Sequence, residues 1–192
     1  MPEPQSDPSR PRSRPSPPPG AAPACREPEL QRLRADHAPA LLAFERENRA
    51  WFAASIPDRG DAYFTGFAAR HAELLAEQDE GLHHFHVLVG ADGAIVGRVN
   101  LVDVADGSAE LGYRVAEKAT GRGLATAAVG RLCRLAADTY GLTTLRAKTT
   151  LDNAGSRAVL ARTGFTPVGE TVLDGRPGLR FVRDLTRPAP KP

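Results

Sequence analysis

A short glycine-containing turn is the part of this sequence whose residue types and spacing best suggest chemistry. It runs Lys118-Ala-Thr-Gly-Arg-Gly123, after the strand-like segment Ser108–Val115 and before an alanine- and leucine-rich segment that starts at Leu124. A tight turn between a strand and a helix points several backbone N–H groups at one spot, and the helix adds the positive end of its dipole. We therefore expect this turn to hold the phosphate or pyrophosphate of a cofactor.

The spacing of the turn excludes two common phosphate-binding loops. A Walker loop has its lysine after the glycines, whereas Lys118 precedes Gly121 and Gly123. A dinucleotide-binding fingerprint needs a third glycine that is absent here. Two glycines alone are also compatible with a helix-start turn that binds nothing, so residues elsewhere must decide between these interpretations.

A second segment with chemically useful residues is Leu151–Phe165. Asn153 stands at the start of a predicted helix, Ser156 follows in its first turn, and Gly164 ends it. Asp152 or Asn153 is expected to cap this helix. The segment follows the β-branched stretch Thr143–Thr150, which is predicted to be a strand.

Taken together, three patterns resemble the GNAT superfamily of acetyl-CoA-dependent N-acetyltransferases. They are Lys118-x-x-Gly-x-Gly-x-Ala125, Ala109-Glu-Leu-Gly-Tyr113 and Asn153-x-x-Ser156. The last two are most similar to the RimJ/RimL-like branch, which acetylates protein N-termini and various small amines. The resemblance covers roughly residues 29–186 and is strongest over 109–169. It implies acetyl-CoA as cosubstrate and an amine-bearing small molecule or protein N-terminus as partner.

The resemblance also implies where acetyl-CoA would lie, between the Ser108–Val115 and Thr143–Thr150 strands. Backbone groups of the first strand would pair with the pantetheine amides. N–H groups of about 119–124 would hold the pyrophosphate, with glycines where a side chain would block the approach or forbid the backbone angles. The expected cofactor-binding residues are Tyr113, Arg114, Val115, Lys118, Ala119, Thr120, Gly121, Arg122, Gly123, Leu124, Ala125, Asn153 and Ser156. For Lys118 and Arg122 a role as solvated surface residues stays open.

The group that protonates the departing thiolate is the next question. Many members of the family use a tyrosine on the helix after the second cofactor strand, but this chain has no tyrosine after Tyr140. Similarity to the RimL type implies that Ser156 donates that proton or hydrogen bond. The alternatives are that Ser156 only packs the helix and that Asn153 only caps it.

An amine must be neutral before it can attack a thioester. At pH 7 a protein α-amine, with a pKa of about 7.7–8.0, costs about 1–1.4 kcal/mol to deprotonate, whereas a lysine amine costs about 4.6 kcal/mol. An α-amine therefore needs only a modest base, directly or through water. Glu110 is the first candidate and Glu170 the second, although either could be an ordinary carboxylate. A backbone N–H on the strand of Glu110 would hold the tetrahedral oxyanion.

Other features of the chain are less specific. Ala127 departs from the family pattern, which commonly has glutamate there, and this puts any role of that glutamate in doubt. The stretch Asn48-Arg-Ala-Trp51 is similar to one in the RimJ branch. The aromatic residues of the two N-terminal helices could line an acceptor pocket or form plain core; they are Phe44, Trp51, Phe52, Tyr63, Phe64 and Phe67. His83, His84 and His86 have no accompanying ligand cluster, so no metal site is expected.

The elements that must position these residues follow from hydrophobic periodicity and turn signals. Asp36 could cap a first helix, and a second is expected over about 61–79. Strands at about 84–89, 94–102 and 108–115 precede a helix at about 122–140 and a strand at 143–150. A short helix at 154–162 and strands at about 165–173 and 179–185 complete the order ααβββαβαββ. We expect an α+β, GNAT-like three-layer α/β/α domain with one central mixed, mostly antiparallel sheet, splayed at the cofactor site.

Composition bounds the remaining possibilities. The 192 residues, 41% hydrophobic and 25% charged with net charge +2, suit one globular domain and give no reason to expect a nucleic-acid partner. Residues 1–28 hold 10 of the 17 prolines, so we expect disordered tails at 1–28 and 188–192 around a domain at 29–187. The proline- and arginine-rich tail could also be a ligand for an SH3-type domain or a nucleic-acid arm.

Only Cys25 and Cys133 are present, and no apolar run is long enough to span a membrane. The expectation is a cytoplasmic monomer or homodimer with no membrane association. Two other classes stay open: a domain that binds acetyl-CoA as a sensor without turnover, and an unrelated phosphate binder.

Overall fold

The computed structural model describes residues 27–187. The disordered tails predicted at 1–28 and 188–192 lie outside that range except for Glu27 and Pro28, which both accept hydrogen bonds from Arg131. The described strands are β1 (Glu29–Arg32), β2 (His84–Val89), β3 (Ile95–Ala105), β4 (Ser108–Val115), β5 (Thr144–Thr150), β6 (Thr166–Leu173) and β7 (Arg176–Asp184). The helices are α1 (Ala38–Glu47), α2 (Arg49–Ala53), α3 (Gly60–Thr65), α4 (Phe67–Asp79), α5 (Leu124–Asp138) and α6 (Ala154–Arg162), with 3-10 turns at Ala35–His37 and Glu117–Ala119.

The seven strands form one sheet in the order β1-β2-β3-β4-β5-β7-β6. Every neighbouring pair is antiparallel except β4 and β5, which are parallel. The parallel pairing covers only three residue pairs and ends at Glu110 opposite Arg146. The strands diverge beyond that point, and we call the opening between the rest of β4 and the rest of β5 the fork. This confirms the predicted α+β fold with a mixed, splayed sheet.

Helices cover both faces of the sheet because its buried strands carry apolar residues on both sides. One face packs against α5 and α6, and its core includes Val99, Leu111, Leu132, Leu145 and Leu160. The other packs against α1–α4, and its core includes Leu41, Phe44, Phe52, Phe85 and Val87. Helix α5 packs an apolar stripe against the first of these faces, since Ala128, Leu132 and Ala136 are all buried.

The N-terminal third differs most from the prediction. Sequence reasoning missed β1, a four-residue strand that pairs only with β2 among the described strands and whose two outer residues are exposed. The helix predicted over 61–79 is two helices, α3 and α4, separated at Gly66. Glycine is a poor interior helix residue, so it is a natural point for this break.

The predicted cap at Asp36 is wrong. Asp36 lies inside the first 3-10 turn, and its carboxylate accepts from Arg34 Nε at 3.0 Å. Helix α1 begins later, at Ala38, with Pro39 in its first turn, where the missing proline N–H costs nothing.

Boundaries in the second half are closer to those predicted. Helix α6 has the predicted limits, whereas α5 begins at Leu124 and leaves Arg122 and Gly123 in the loop. Strand β7 begins at Arg176, so the last hairpin turns through only Asp174 and Gly175, both with positive φ. Among residues 27–187 no helix has the length and apolar character needed to cross a bilayer.

Candidate active site

The fork leaves one edge of β4 without a neighbouring strand. On its other edge β4 pairs with β3 as far as Val115, but within the described residues β5 pairs with it only from Ser108 to Glu110. The segment Leu111–Val115 therefore presents backbone groups to the fork, as predicted for residues 113–115. An extended chain bearing amides can bind such an edge like an added strand.

Strand β4 leads directly into the glycine turn. After the 3-10 turn Glu117–Ala119, Gly121 and Gly123 have φ of 74° and 75°, and Gly123 is the N-cap of α5. A Cβ at either glycine would meet no protein atom within 4 Å. The left-handed backbone, and not crowding within the protein, is therefore what requires glycine here.

Two of the backbone N–H groups predicted to hold the pyrophosphate already have acceptors within the protein. The N–H of Ala119 donates to Ala116 O at 2.9 Å and that of Thr120 to Glu117 O at 3.1 Å, so both are already used. No described residue accepts from the N–H groups of Gly121–Gly123, and α5 has no side-chain cap. The N–H groups with no acceptor among the described residues are thus those of 121–126, whereas 119–124 were predicted.

The charged residues near the turn differ in where their side chains lie. Lys118 and Arg122 are exposed, and Lys118 Nζ lies 4.0 Å from Glu47 Oε2. Arg114 instead points to the α1 side, where its Nη2 donates to Glu45 Oε1 at 2.5 Å and its guanidinium lies over Phe52. Burial lowers the pKa of Arg114 to about 10, an effect that Glu45 opposes. Only the backbone of Arg114 can therefore serve the fork.

The start of α6 faces the fork from the β5 side. Asn153 Oδ1 accepts from the Ser156 N–H at 3.0 Å, which confirms the predicted N-cap. Ser156 Oγ lies 2.9 Å from Tyr113 Oη, and that phenol also lies 3.2 Å from the Ser156 carbonyl. Burial raises the pKa of Tyr113. This contact between side chains of β4 and α6 had no local signal in the sequence.

The two candidate carboxylates are not brought together. Glu110 stands at the apex of the fork, where its Oε2 lies 2.7 Å from Lys148 Nζ of β5. Glu170 is exposed on edge strand β6, opposite Leu179, which in turn lies opposite Thr149. Lys148 and Thr149 point to opposite faces because side chains alternate along a strand. Glu170 therefore lies on the face of the sheet away from Glu110.

Asn48 connects the α1–α2 junction to the glycine turn. Its Oδ1 accepts from the Glu117 N–H at 2.9 Å, and its Nδ2 donates to Phe44 O at 2.9 Å. Asn48 is buried, so both bonds are shielded from water. Asn48, which belongs to the stretch similar to the RimJ branch, thus holds the 3-10 turn before Gly121 and Gly123 in place.

The aromatic residues of the N-terminal helices mostly form core. Phe44, Phe52 and Phe67 are buried, whereas Trp51 is 42% exposed. The last hairpin borders the same side of the molecule: Arg176 pairs with Asp152 before α6 and lies 3.5 Å from Ala54 O after α2. These contacts define a rim around the fork on the α1 side.

The histidines form a stacked group with Tyr140. The His84 ring lies parallel to that of Tyr140 with centroids 3.6 Å apart, and His86 Nε2 lies 2.9 Å from Tyr140 Oη. Over residues 27–187 no group of three or more potential ligands lies close enough together to hold a metal.

The open parallel strand pair, the glycine turn at a helix start and the capped helix across the opening are arranged as the resemblance to acetyl-CoA-dependent N-acetyltransferases implies. Residues 29–166 match the family model of the acetyltransferase (GNAT) domain. The chain belongs to this family, whose members are N-acetyltransferases that use acetyl-CoA.

Individual relatives agree with this assignment. The chain is 28% identical over 136 residues to the probable N-acetyltransferase YjcK of Bacillus subtilis, covering 67% of this chain and 74% of that protein. It is 27% identical to RimJ of Mycobacterium smegmatis, solved with a CoA disulfide, with a TM-score of 0.74 and coverage of 83% and 85%. The ribosomal-protein-S5-alanine acetyltransferase of Vibrio fischeri shares the fold, with 20% identity, a TM-score of 0.77 and coverage of 81% and 91%.

Proposed function

We propose that this protein transfers the acetyl group of acetyl-CoA to a primary amine by direct attack of the amine on the thioester. The acceptor would be a protein N-terminal α-amine or the amine of a small molecule. The observation that carries the proposal is the fork itself, with Glu110 at its apex and Ser156 and the glycine turn on its borders. The relatives support it, since the Vibrio fischeri protein is named for acetylating an alanine of a ribosomal protein.

The cofactor contacts in this proposal follow from the groups left free. N–H groups among residues 121–126 bind the pyrophosphate, assisted by the charges of Lys118 and Arg122. Backbone groups of Tyr113–Val115 pair with pantetheine. The Oδ1 of Asn153 is engaged in capping α6, so its contribution to the cofactor is a hydrogen bond from Nδ2.

The chemical step in this proposal needs a base on the α1 side of the fork. Glu110 serves as that base, directly or through a water molecule, because it stands where β4 and β5 begin to diverge. Glu170 has no part in the step, since it lies on the opposite face of the sheet. A backbone N–H of β4 beyond Glu110 holds the oxyanion of the tetrahedral intermediate, and Ser156 assists the departing sulfur.

A panel of amines tests the proposal. Thiol release from acetyl-CoA would be followed with peptides that have different N-terminal residues, with polyamines and with aminoglycosides, and products would be confirmed by mass. We expect turnover with at least one class of acceptor. Tight CoA binding without turnover across the panel would contradict the proposal and favour a non-catalytic acetyl-CoA-binding domain.

A further inference from the structure

The hydroxyl groups of Tyr113 and Ser156 meet across the fork, although the two residues are 43 positions apart in the chain. Tyr113 Oη lies 2.9 Å from Ser156 Oγ. Among the described residues, no group other than this phenol is hydrogen-bonded to Ser156 Oγ. The direction in which the serine hydroxyl points its hydrogen therefore depends on Tyr113.

The pair has the geometry of a proton path. A serine inside a helix commonly returns its hydroxyl hydrogen to a carbonyl one turn earlier, but Ser156, in the first turn of α6, makes no such bond. The single phenol hydrogen has two acceptors within reach, Ser156 Oγ at 2.9 Å and the Ser156 carbonyl at 3.2 Å. In the arrangement in which it goes to Oγ, the serine hydrogen is free to point into the fork. Consecutive hydrogen bonds polarise one another, so the phenol strengthens the serine as a donor.

We propose that Tyr113 supplies, through Ser156, the proton that the CoA sulfur takes up at the end of acetyl transfer. This inference rests on the function proposed above. Because Tyr113 acts through Ser156, it is a positioning residue. The chain has no tyrosine after Tyr140 that could donate this proton from helix α6, and in our proposal Tyr113 of strand β4 provides it instead.

The protons and electrons of this step balance. The C–N bond forms as the amine nitrogen attacks the thioester carbon, and the C–S bond breaks with its electron pair remaining on sulfur. Sulfur takes the hydroxyl proton of Ser156, and Ser156 takes the phenol proton of Tyr113. Water restores the phenol proton, while the excess proton on nitrogen leaves through Glu110 or water. An ammonium acceptor thus yields one amide, one thiol and one released proton.

A phenol is a suitable source for this proton. Its ordinary pKa of about 10 is not far from the value of about 8.5 for a thiol, so transfer between them is only mildly unfavourable. Burial raises the pKa of Tyr113, while its bond to Ser156 opposes that effect. The phenol is therefore protonated, and able to donate, at neutral pH.

Kinetics of Tyr113→Phe and Ser156→Ala test the path. Tyr113→Phe should lower kcat about tenfold or more while CoA affinity changes less than about twofold. If the two hydroxyls form one path, the double variant should be no slower than Ser156→Ala alone. Tyr140→Phe, which removes a phenol bonded to His86 at 2.9 Å, is the matched control and should keep the wild-type kcat. An unchanged kcat for Tyr113→Phe, or effects that multiply in the double variant, would overturn the inference.

A second measurement requires no turnover. The thiol of bound CoA can be titrated by its ultraviolet thiolate absorption, using the complex with desulfo-CoA as reference so that Cys25 and Cys133 cancel. Loss of a hydrogen-bond path to sulfur in Tyr113→Phe should raise the thiol pKa by about 0.5 to 1 relative to wild type. Equal values in the two proteins would overturn the inference. A wild-type protein that binds CoA but acetylates no amine would instead contradict the proposed function, and this titration would still decide the role of Tyr113.

Discussion

Single residues of the glycine turn control how closely an anion can approach α5. Gly123 combines a left-handed backbone, φ 75°, with open space where a side chain would begin. The positive end of the helix dipole and the free N–H groups lie at the same point. A negative charge placed there would face directly a pyrophosphate bound as proposed.

We expect Gly123→Glu to weaken CoA binding at least about 100-fold, since like charges near 4 Å repel by several kcal/mol at a protein surface. Isothermal titration calorimetry would measure the loss. Gly141→Glu is the control, because Gly141 has φ 65° and no protein atom near its missing Cβ, yet lies at the other end of α5. If Gly123→Glu bound CoA as tightly as the control, the glycine turn would not be the pyrophosphate site.

Glu110 offers a second residue-scale prediction. Glu110→Gln keeps the shape of the side chain but removes the proton acceptor, so kcat should fall about 100-fold with CoA affinity nearly unchanged. Steady-state rates and CoA titrations would be compared with Glu170→Gln, which alters a carboxylate on the opposite face. Equal kcat values for the two variants would remove Glu110 from the chemical step.

At the scale of elements, a buried triad of charged residues, Glu45, Arg98 and Arg114, links α1 to strands β3 and β4. Glu45 Oε1 accepts from Arg98 Nη1 of β3 at 2.8 Å and from Arg114 Nη2 of β4 at 2.5 Å. The Glu45 and Arg98 side chains are 2% and 4% exposed. Glu45 is the one negative charge of the triad, and it balances the two positive charges of Arg98 and Arg114.

Glu45→Gln should destabilise the domain by about 3–5 kcal/mol, because it leaves two guanidinium groups buried without a counter-charge. Urea unfolding of the variant would give the difference. Glu47→Gln changes a residue on the same helix and is the control. The Glu47 side chain is 64% exposed and its nearest cation, Lys118 Nζ, is as far as 4.0 Å away, so this substitution should change stability little. Similar midpoints for both variants would show that the triad does not stabilise α1.

The contact between β2 and the end of α5 makes stability depend on pH. Burial, together with the neighbouring charges of His84 and Arg32, lowers the pKa of His86 to about 4. Between about pH 4 and pH 6.5, His86 is protonated in the unfolded chain, where its pKa is about 6.5, but neutral in the folded chain. The contribution of neutral His86 to the free energy of unfolding is therefore fully present above about pH 6.5 and is lost as the pH falls toward 4.

For this one group the loss between pH 7 and pH 5 should be about 2 kcal/mol. Urea unfolding at both pH values would be compared for the wild type and His86→Leu, since other groups titrate in both proteins and cancel. The variant should lose less stability than the wild type over this interval. Parallel losses would show that His86 is not the group responsible.

For the molecule as a whole, sequence reasoning predicted the second half better than the first. The segments around Gly121–Gly123 and Asn153 have strong local signals, namely turn glycines, a capping residue and helical periodicity. The strand at Glu29–Arg32 is short and polar, so no periodicity identified it. Gly66 divides a helical pattern that otherwise continues through both α3 and α4.

The side-chain pairs of the site were not predictable in this way. The contact of Tyr113 with Ser156 and that of Glu110 with Lys148 each join residues from different strands and helices. Both depend on β4 lying parallel to β5 and on the register at which that pairing stops. Register is a property of the assembled sheet, so no window of sequence contains it.

The amide side chain of Asn48 joins the backbone before the glycine turn, at Glu117, to helix α1, at Phe44. A ligand that shifts either partner must therefore work against the other, and such linkage is reciprocal in free energy. If acetyl-CoA orders the glycine turn as proposed, donor and acceptor do not bind independently, and we expect a sequential kinetic scheme. Acetyl-CoA, by fixing the loop, would set the affinity for the amine, and free CoA would then inhibit competitively with the donor but not with the acceptor.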